Sequence, residues 1–373
     1  MAFGSGGGGD QQRGPVEYVE FGSRRRWTRG GLSWLLLACL IIAAVVIAIR
    51  HAGWSGPPKP PPVTVTFVRH PLLGISAGWD LFGLDKAGVV AIQFARGRIT
   101  RTLLPPPEGS GPVSFIVGPH TAIVRPLDNV PGYLVPDGQP AKRLTGILAG
   151  GGLLLPGPAA GQEWDTAASP DSLVLVGPSG HATRTHITLP NPGWPSQSAM
   201  ADGRGDVLVA SDSGTQYDAG PHFLRQIGVL LSAVGPTDWL GMNCPSGRCK
   251  NVVLNPETGV QRTLPGPPVH LLTWPWPAYP GSVAPDGQTA AIVADSGNGR
   301  VVLEEISLAT GAVTHLAVPI TEDTSSQTMA WSPDSQWLFV AASDGLLLAI
   351  STRTHRIESL GVPGAFTQLA MRG

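Results

Sequence analysis

Few side chains in this chain have the types and spacing that chemistry requires. Cys244 and Cys249 flank the turn sequence Pro-Ser-Gly-Arg. Two thiols so placed can form a disulfide or supply part of a metal site. A metal site needs two further ligands, and no His stands near in the sequence. The spacing therefore predicts a disulfide, which would stabilise by about 2 kcal/mol through loop entropy and forms where thiols oxidise, outside the cytoplasm. Gly74-Ile75-Ser76-Ala77-Gly78 matches G-x-S-x-G, but a nucleophile elbow needs a strand before it and a helix after it. Pro71 stands just upstream and a turn follows. His181 and His186, five apart, could converge only on a helix, and their segment reads as strand. Residues 295–299 (DSGNG) form a polar hairpin turn without the further carboxylates and closing Glu of a calcium loop. No phosphate-binding glycine loop with its Lys is present. We expect no catalytic residue, no cofactor and no metal.

Two longer segments carry aromatic side chains. Residues 265–281 (PGPPVHLLTWPWPAYPG) set Trp274, Trp276 and Tyr279 among prolines. Aromatics on a rigid loop are good binding anchors; the same loop could instead bury them over a gap between structural units. Residues 212–225 (DSGTQYDAGPHFLR) hold Tyr217, His222 and Phe223 and read as a long loop, either facing a partner or a neutral insertion.

The elements that must position these residues are constrained by composition. Gly and Pro make up 86 of 373 residues, about 23%, where roughly 12% is ordinary. Such frequent interruption excludes long helices from most of the chain. Eleven Trp and 42% apolar residues argue against general disorder. A formal net charge of −1 gives no reason to expect a nucleic acid.

The charge is uneven. Residues 1–59 carry seven Arg/Lys and three acids, and the remainder is net acidic. Residues 32–49 (LSWLLLACLIIAAVVIAI) contain no charge and would span roughly 27 Å as a helix, about a bilayer core. Cys39 within this run is read as an inert apolar residue. The Arg cluster before it places the N-terminus in the cytoplasm and the bulk of the chain outside. A cleaved signal, a lipobox at 36–39 and a twin-arginine signal fit the flanking residues less well than an uncleaved anchor. The expected organisation is a disordered cytoplasmic tail (1–31), a transmembrane helix (32–49), a Pro-rich linker (50–62) and an extracytoplasmic domain (63–373).

That domain repeats. Residues 282–316 begin SVAPDGQTAAIVADSGNG, and residues 330–360 begin AWSPDSQWLFVAASDG. Each reads as strand, Pro-Asp-Gly/Ser turn, apolar strand, turn, strand, turn, strand. Pro presets φ for the turn, and Gly or a small polar residue takes the tight corner. Weaker copies occupy 79–103, 114–144, 166–189, 199–213 and 239–264. Last strands should close near Leu103, Leu144, Leu189, Val234, Leu264, Leu316 and Leu360, a step of about 43 residues, as in a four-stranded propeller blade. Residues 331–345 (WSPDSQWLFVAASDG) resemble TolB-like and WD40-like propeller repeats. The wording is closer to the TolB type, since the Trp-Asp dipeptide is missing from the WD40 position. The resemblance covers about half of the outer domain and implies a propeller fold, usually a binding or assembly surface, without transferring an activity.

The expected fold is thus all-β: a six- or seven-bladed β-propeller of four-stranded antiparallel blades, preceded by one transmembrane α-helix. Residues 63–68 are expected to supply the outer strand of the last blade and close the ring, with 362–371 as the alternative. The expected role is a single-pass, membrane-anchored binding or scaffold module for a protein, peptide or envelope ligand at the plasma membrane. The alternatives are a lactonase-like or glycan-cleaving propeller enzyme with its site at the central channel, and a cell-surface sensor. Scarce Lys beside abundant Arg, Ala, Gly and Pro fits a GC-rich bacterial genome.

Overall fold

A computed structural model of the protein describes residues 63–67, 72–75, 78–104, 113–126, 132–145, 153–169, 172–177, 182–188, 199–210, 215–268, 281–296, 300–322 and 324–373. The expected tail, transmembrane helix and linker lie outside the described residues, as do Trp274, Trp276 and Tyr279. Among the described residues no helix is long and apolar enough to cross a membrane.

The strands fall into groups of four, each an antiparallel meander except the first, in which the opening strand pairs with the fourth and not with the second. The first comprises β1 (Val63–Phe67), β2 (Asp80–Asp85), β3 (Gly88–Gln93) and β4 (Arg98–Leu103). The second has β5 (Val113–Val117), β6 (Thr121–Pro126), β7 (Tyr133–Pro136) and β8 (Lys142–Arg143). The third has β9 (Leu154–Pro156), β10 (Glu163–Ser169), β11 (Ser172–Val176) and β12 (Ala182–Thr188). The fourth has β13 (Ala199–Ala201), β14 (Val207–Ala210), β15 (Gln216–Gly220) and β16 (Phe223–Ile227). The fifth has β17 (Leu230–Val234), β18 (Trp239–Asn243), β19 (Lys250–Leu254) and β20 (Gln261–Thr263). The sixth has β21 (Gly281–Val283), β22 (Thr289–Asp295), β23 (Val301–Ser307) and β24 (Val313–Leu316). The next has β25 (Met329–Trp331), β26 (Trp337–Ala341), β27 (Leu346–Ser351) and β28 (Ile357–Pro363), and β29 (Gln368–Arg372) ends the order.

Sheet pairing links these units. The fifth and sixth meanders form one eight-stranded sheet through a short parallel contact, with Ala233 opposite Gly281 and Val234 opposite Ser282. β29 returns to pair antiparallel with β2, so the first sheet runs β1-β4-β3-β2-β29. The closing strand, 368–372, therefore belongs to the alternative segment and not to residues 63–68. Residues 63–67 form the outer edge of the first sheet, paired with β4, and the C-terminal strand provides the inner edge. Residues 63–67 and 368–372 thus lie at the two edges of one sheet.

The residue patterns explain the packing. Middle strands are buried along almost their whole length, as in β22 (TAAIVAD) and β26 (WLFVA), because each sheet is covered on both faces by its neighbours. Outer strands read differently: β20 (QRT) is fully exposed. Apolar clusters fill the spaces between consecutive meanders, including the space between the one that ends at Pro363 and the first sheet. There Trp79, Phe94 and Phe339 pack with ring centroids 4.9, 5.2 and 5.9 Å apart. Each such side chain contributes about 2–3 kcal/mol by leaving water. Among the described residues, an all-β set of antiparallel sheets packed face to face, with the last strand joined to the first sheet, is a β-propeller.

Two further expectations are corrected. Residues 212–225 are not one long loop: residues 216–220 and 223–227 form the β15–β16 hairpin. Gln216, Asp218 and Ala219 are buried in it, and inward polar residues disguised a strand as a loop. The strand end near Val234 is the end of the opening strand of the fifth meander, whereas the fourth closes at Ile227.

Candidate functional site

The two ends of the sheets are built differently. At one end lie the turns that join the first two strands of each repeat. They touch in succession. Gly205 (φ +96°) lies against Gly157 and Pro158, and Gly203 (φ +85°) against Gly235 and Pro236, closely enough that a Cβ would meet backbone. Only Gly tolerates both the left-handed φ and this approach. Farther on, Asp286 N donates to Ser335 Oγ at 3.0 Å. This end is a tightly joined run of turns.

The opposite end carries clefts. One of about 520 Å³ lies between the fourth and fifth meanders and is lined by Gln216, Gln226, Ile227, Leu230, Met242 and Cys244, among others. Cys244 and Cys249 are joined by a disulfide across the β18–β19 hairpin, as the spacing predicts, and Cys244 forms part of the cleft wall. Leu230, 47% exposed, is a large apolar side chain left in solvent at its rim. Another cleft, of about 420 Å³, lies where Thr321 and Thr328, Ser343 and Asp344, and Phe366 approach each other.

The structure separates the residues that the sequence grouped as partner-facing. Tyr217 is half-buried in β15, opposite Val209 and Gln226. His222 and Phe223 are exposed at the β15–β16 turn, away from the disulfide-edged cleft, and the Arg225 guanidinium lies 5.9 Å from the Phe223 ring.

Sequence reasoning missed a buried acidic group beside this turn. Asp202, Asp206 and Asp218 each place a carboxylate oxygen within 4.8 Å of the others, and all three are buried. Asp202 and Asp206 come from the Asp-Gly-Arg-Gly-Asp turn between β13 and β14. Asp218 joins them because β15 pairs with β14 in the register that sets Leu208 opposite Asp218. Asp202 Oδ1 accepts from Arg204 N at 2.6 Å and Asp206 N at 3.0 Å. Asp218 Oδ2 accepts from Arg225 Nη2 at 2.6 Å. Burial, with the nearby Asp206 and Asp218 charges, pushes Asp202 up to about 7 against the pull of those backbone N–H groups. Burial also raises Asp206, opposed by Arg204 and Arg225, and Asp218, opposed by Arg225. Glu163 in β10 rises to about 7 through burial alone. The Asp-x3-Asp spacing was visible in sequence; its third member depended on strand register.

A different buried charge pair is structural. Arg125 in β6 donates to Asp165 Oδ1 in β10 at 2.9 Å, with both side chains almost wholly buried. It ties the second meander to the third.

No protein-family model matches the chain, and no curated protein matches it. Solved structures do resemble it. A protein provisionally assigned as a 6-phosphogluconolactonase from Bacteroides uniformis has a TM-score of 0.48 at 10% identity, covering 79% of this chain and 99% of that one. TolB from Acinetobacter baumannii has a TM-score of 0.43 at 14% identity, covering 79% and 82%. The Cps50 (Swd1) β-propeller domain from Myceliophteria thermophila has a TM-score of 0.42 at 9% identity, covering 70% and 90%. Likenesses this distant say nothing of activity.

Proposed function

We propose that the chain is a seven-bladed propeller, held at the plasma membrane by residues 32–49 and exposed outside it, that binds a protein, peptide or envelope ligand at its cleft-bearing end. The blade number rests on the run of four-strand meanders and on the apolar clusters between consecutive ones. The anchor rests on the uncharged run and the Arg cluster before it. The Cys244–Cys249 disulfide fits an oxidising compartment.

The observation that carries the binding role is the cleft between the fourth and fifth meanders. It is lined by Cys244 of the disulfide, by Ile227 and Met242, and by Gln216 and Gln226. An open apolar depression edged by a few polar groups suits a partner surface better than an enclosed small molecule. A photo-crosslinking residue at Leu230 in intact cells is expected to capture a defined partner. The same residue at Val260, exposed on the β19–β20 turn at the other end, should not. Equal capture at both positions, or loss of the protein from the membrane fraction only when the propeller and not residues 32–49 is deleted, would overturn the reading.

A further inference from the structure

We propose that Asp202, Asp206 and Asp218 form a binding site for a hard divalent cation, calcium before others, in the fourth meander of the propeller. This inference does not rest on the cleft or on membrane anchoring.

The argument begins with two oxygens. Asp202 Oδ1 is taken by two backbone N–H groups, which leaves Oδ2. Asp218 Oδ2 is taken by Arg225, which leaves Oδ1. Both remaining oxygens are buried and have no hydrogen-bond partner among the described residues, and both residues are fully buried. An unsatisfied buried acceptor costs about 1–3 kcal/mol, more when charged. Native structures leave few such groups without a reason. Here the two orphaned oxygens belong to members of one acidic group.

The geometry suits an ion. Calcium is held by oxygens at about 2.3–2.6 Å, so oxygens around one ion lie at most about 5 Å apart. The three carboxylates meet that limit at 4.8 Å. The donor set is oxygen alone, which excludes a preference for soft metals. Arg225 and Arg204 oppose the three carboxylates, which ionised together leave one negative charge in excess to attract a cation.

The site is also held rigid from outside. Trp164 Nε1 in β10 donates to Gly205 O at 2.8 Å, fixing the turn that carries Asp202 and Asp206. Gly205 itself packs on Gly157 and Pro158. The turn is therefore shaped by its neighbours in the third meander, and the carboxylates need not be gathered by the ion.

The test uses the full chain, freed of metal with EGTA, and two variants. Asp202→Asn keeps an Oδ1 acceptor for Arg204 N and Asp206 N while removing an anionic ligand. Asp218→Asn does the same for the Arg225 contact. Calcium at about 1–5 mM, the range in which extracellular calcium modules operate, should raise the melting temperature of the wild type by roughly 1–3 °C. Terbium, which takes the same oxygen ligands, should show luminescence sensitised by Trp164. Both signals should vanish in each variant, with the melting temperature in EGTA no lower than that of the wild type. A wild type that neither melts later with calcium nor sensitises terbium overturns the proposal, and the cluster then holds its charge by keeping a proton. So does a calcium shift that persists in both variants. Should one variant fail to fold, the other and direct calorimetric titration of the wild type decide.

Discussion

Arg372 Nη2 lies 2.7 Å from Asp80 Oδ2, across 292 positions of sequence. The two are also register partners where β29 joins β2. The same guanidinium donates to Asp137 Oδ1 of the second meander at 2.9 Å and sits 4.5 Å over the Phe82 ring. One side chain thus fastens the last strand to the first sheet and to its neighbour. Arg372→Met is expected to cost about 2–3 kcal/mol, read as a fall in melting temperature. Arg372→Lys, which keeps the charge but not the fork, should fall between. A melting curve for Arg372→Met that overlays the wild type would show that the backbone pairing alone holds the closure.

The Arg125–Asp165 pair makes a sharper case, because both groups are out of water. Removing the cation takes the ion partner of Asp165 out of the interior, so Arg125→Met should cost about 3–5 kcal/mol. Replacing both, as Arg125→Met with Asp165→Leu, should recover most of the loss, since two apolar side chains need no partner. Urea denaturation midpoints of the single and double variants measure this, and a double variant no better than the single one would contradict it.

Stability should also depend on pH in a definite direction. Glu163 and Asp202 titrate near 7 in the folded protein, whereas an unfolded carboxylate titrates near ~4. Between these values the folded state holds protons that the unfolded chain has released. In calcium-free buffer, stability therefore falls as pH rises through about 5 to 7, by about 1.4 kcal/mol per unit for each group, and levels off above. The charges facing Asp202 are Asp206 and Asp218, and burial outweighs them. Asp202→Asn and Glu163→Gln should each flatten the slope by about one proton; slopes unchanged in both would remove the assignment.

The Cys244–Cys249 bond closes a short loop, so its loss should cost about 2 kcal/mol. Cys244→Ser with Cys249→Ser should melt earlier than the wild type, and reductant should move the wild type alone to the same point. A reductant effect of equal size on the double variant would place the labile element elsewhere.

Much of this architecture was readable from local chemistry. The Pro-Asp-Gly/Ser turns at 285–287 and 333–335 mark hairpins whose φ values need Gly or a small polar residue, and Gly287 and Ser335 both have positive φ. Apolar runs such as 289–295 announce strands covered on both faces. The disulfide followed from two cysteines across a turn. What stayed hidden depended on distant pairing. Nothing local in 368–372 says that this strand meets Asp80. Gln216 and Asp218 looked like loop residues because their polar side chains serve buried contacts: Gln216 Oε1 accepts from Leu231 N in the next meander, and Asp218 accepts from Arg225. The acidic group was hidden for the same reason, since its third carboxylate arrives through the β14–β15 register.

The shared first sheet also sets a timetable. β2 leaves the ribosome early, yet its inner edge has no partner until residues 368–372 have been made. At about 5–20 residues per second, that edge stays open for roughly 15–60 s of synthesis. An unpaired apolar strand is a template for the wrong neighbour, and a closure spanning most of the chain is slow to find. The protein must therefore travel through biogenesis with its ring open, and whatever factors attend it then would be guarding the edge formed by residues 80–85.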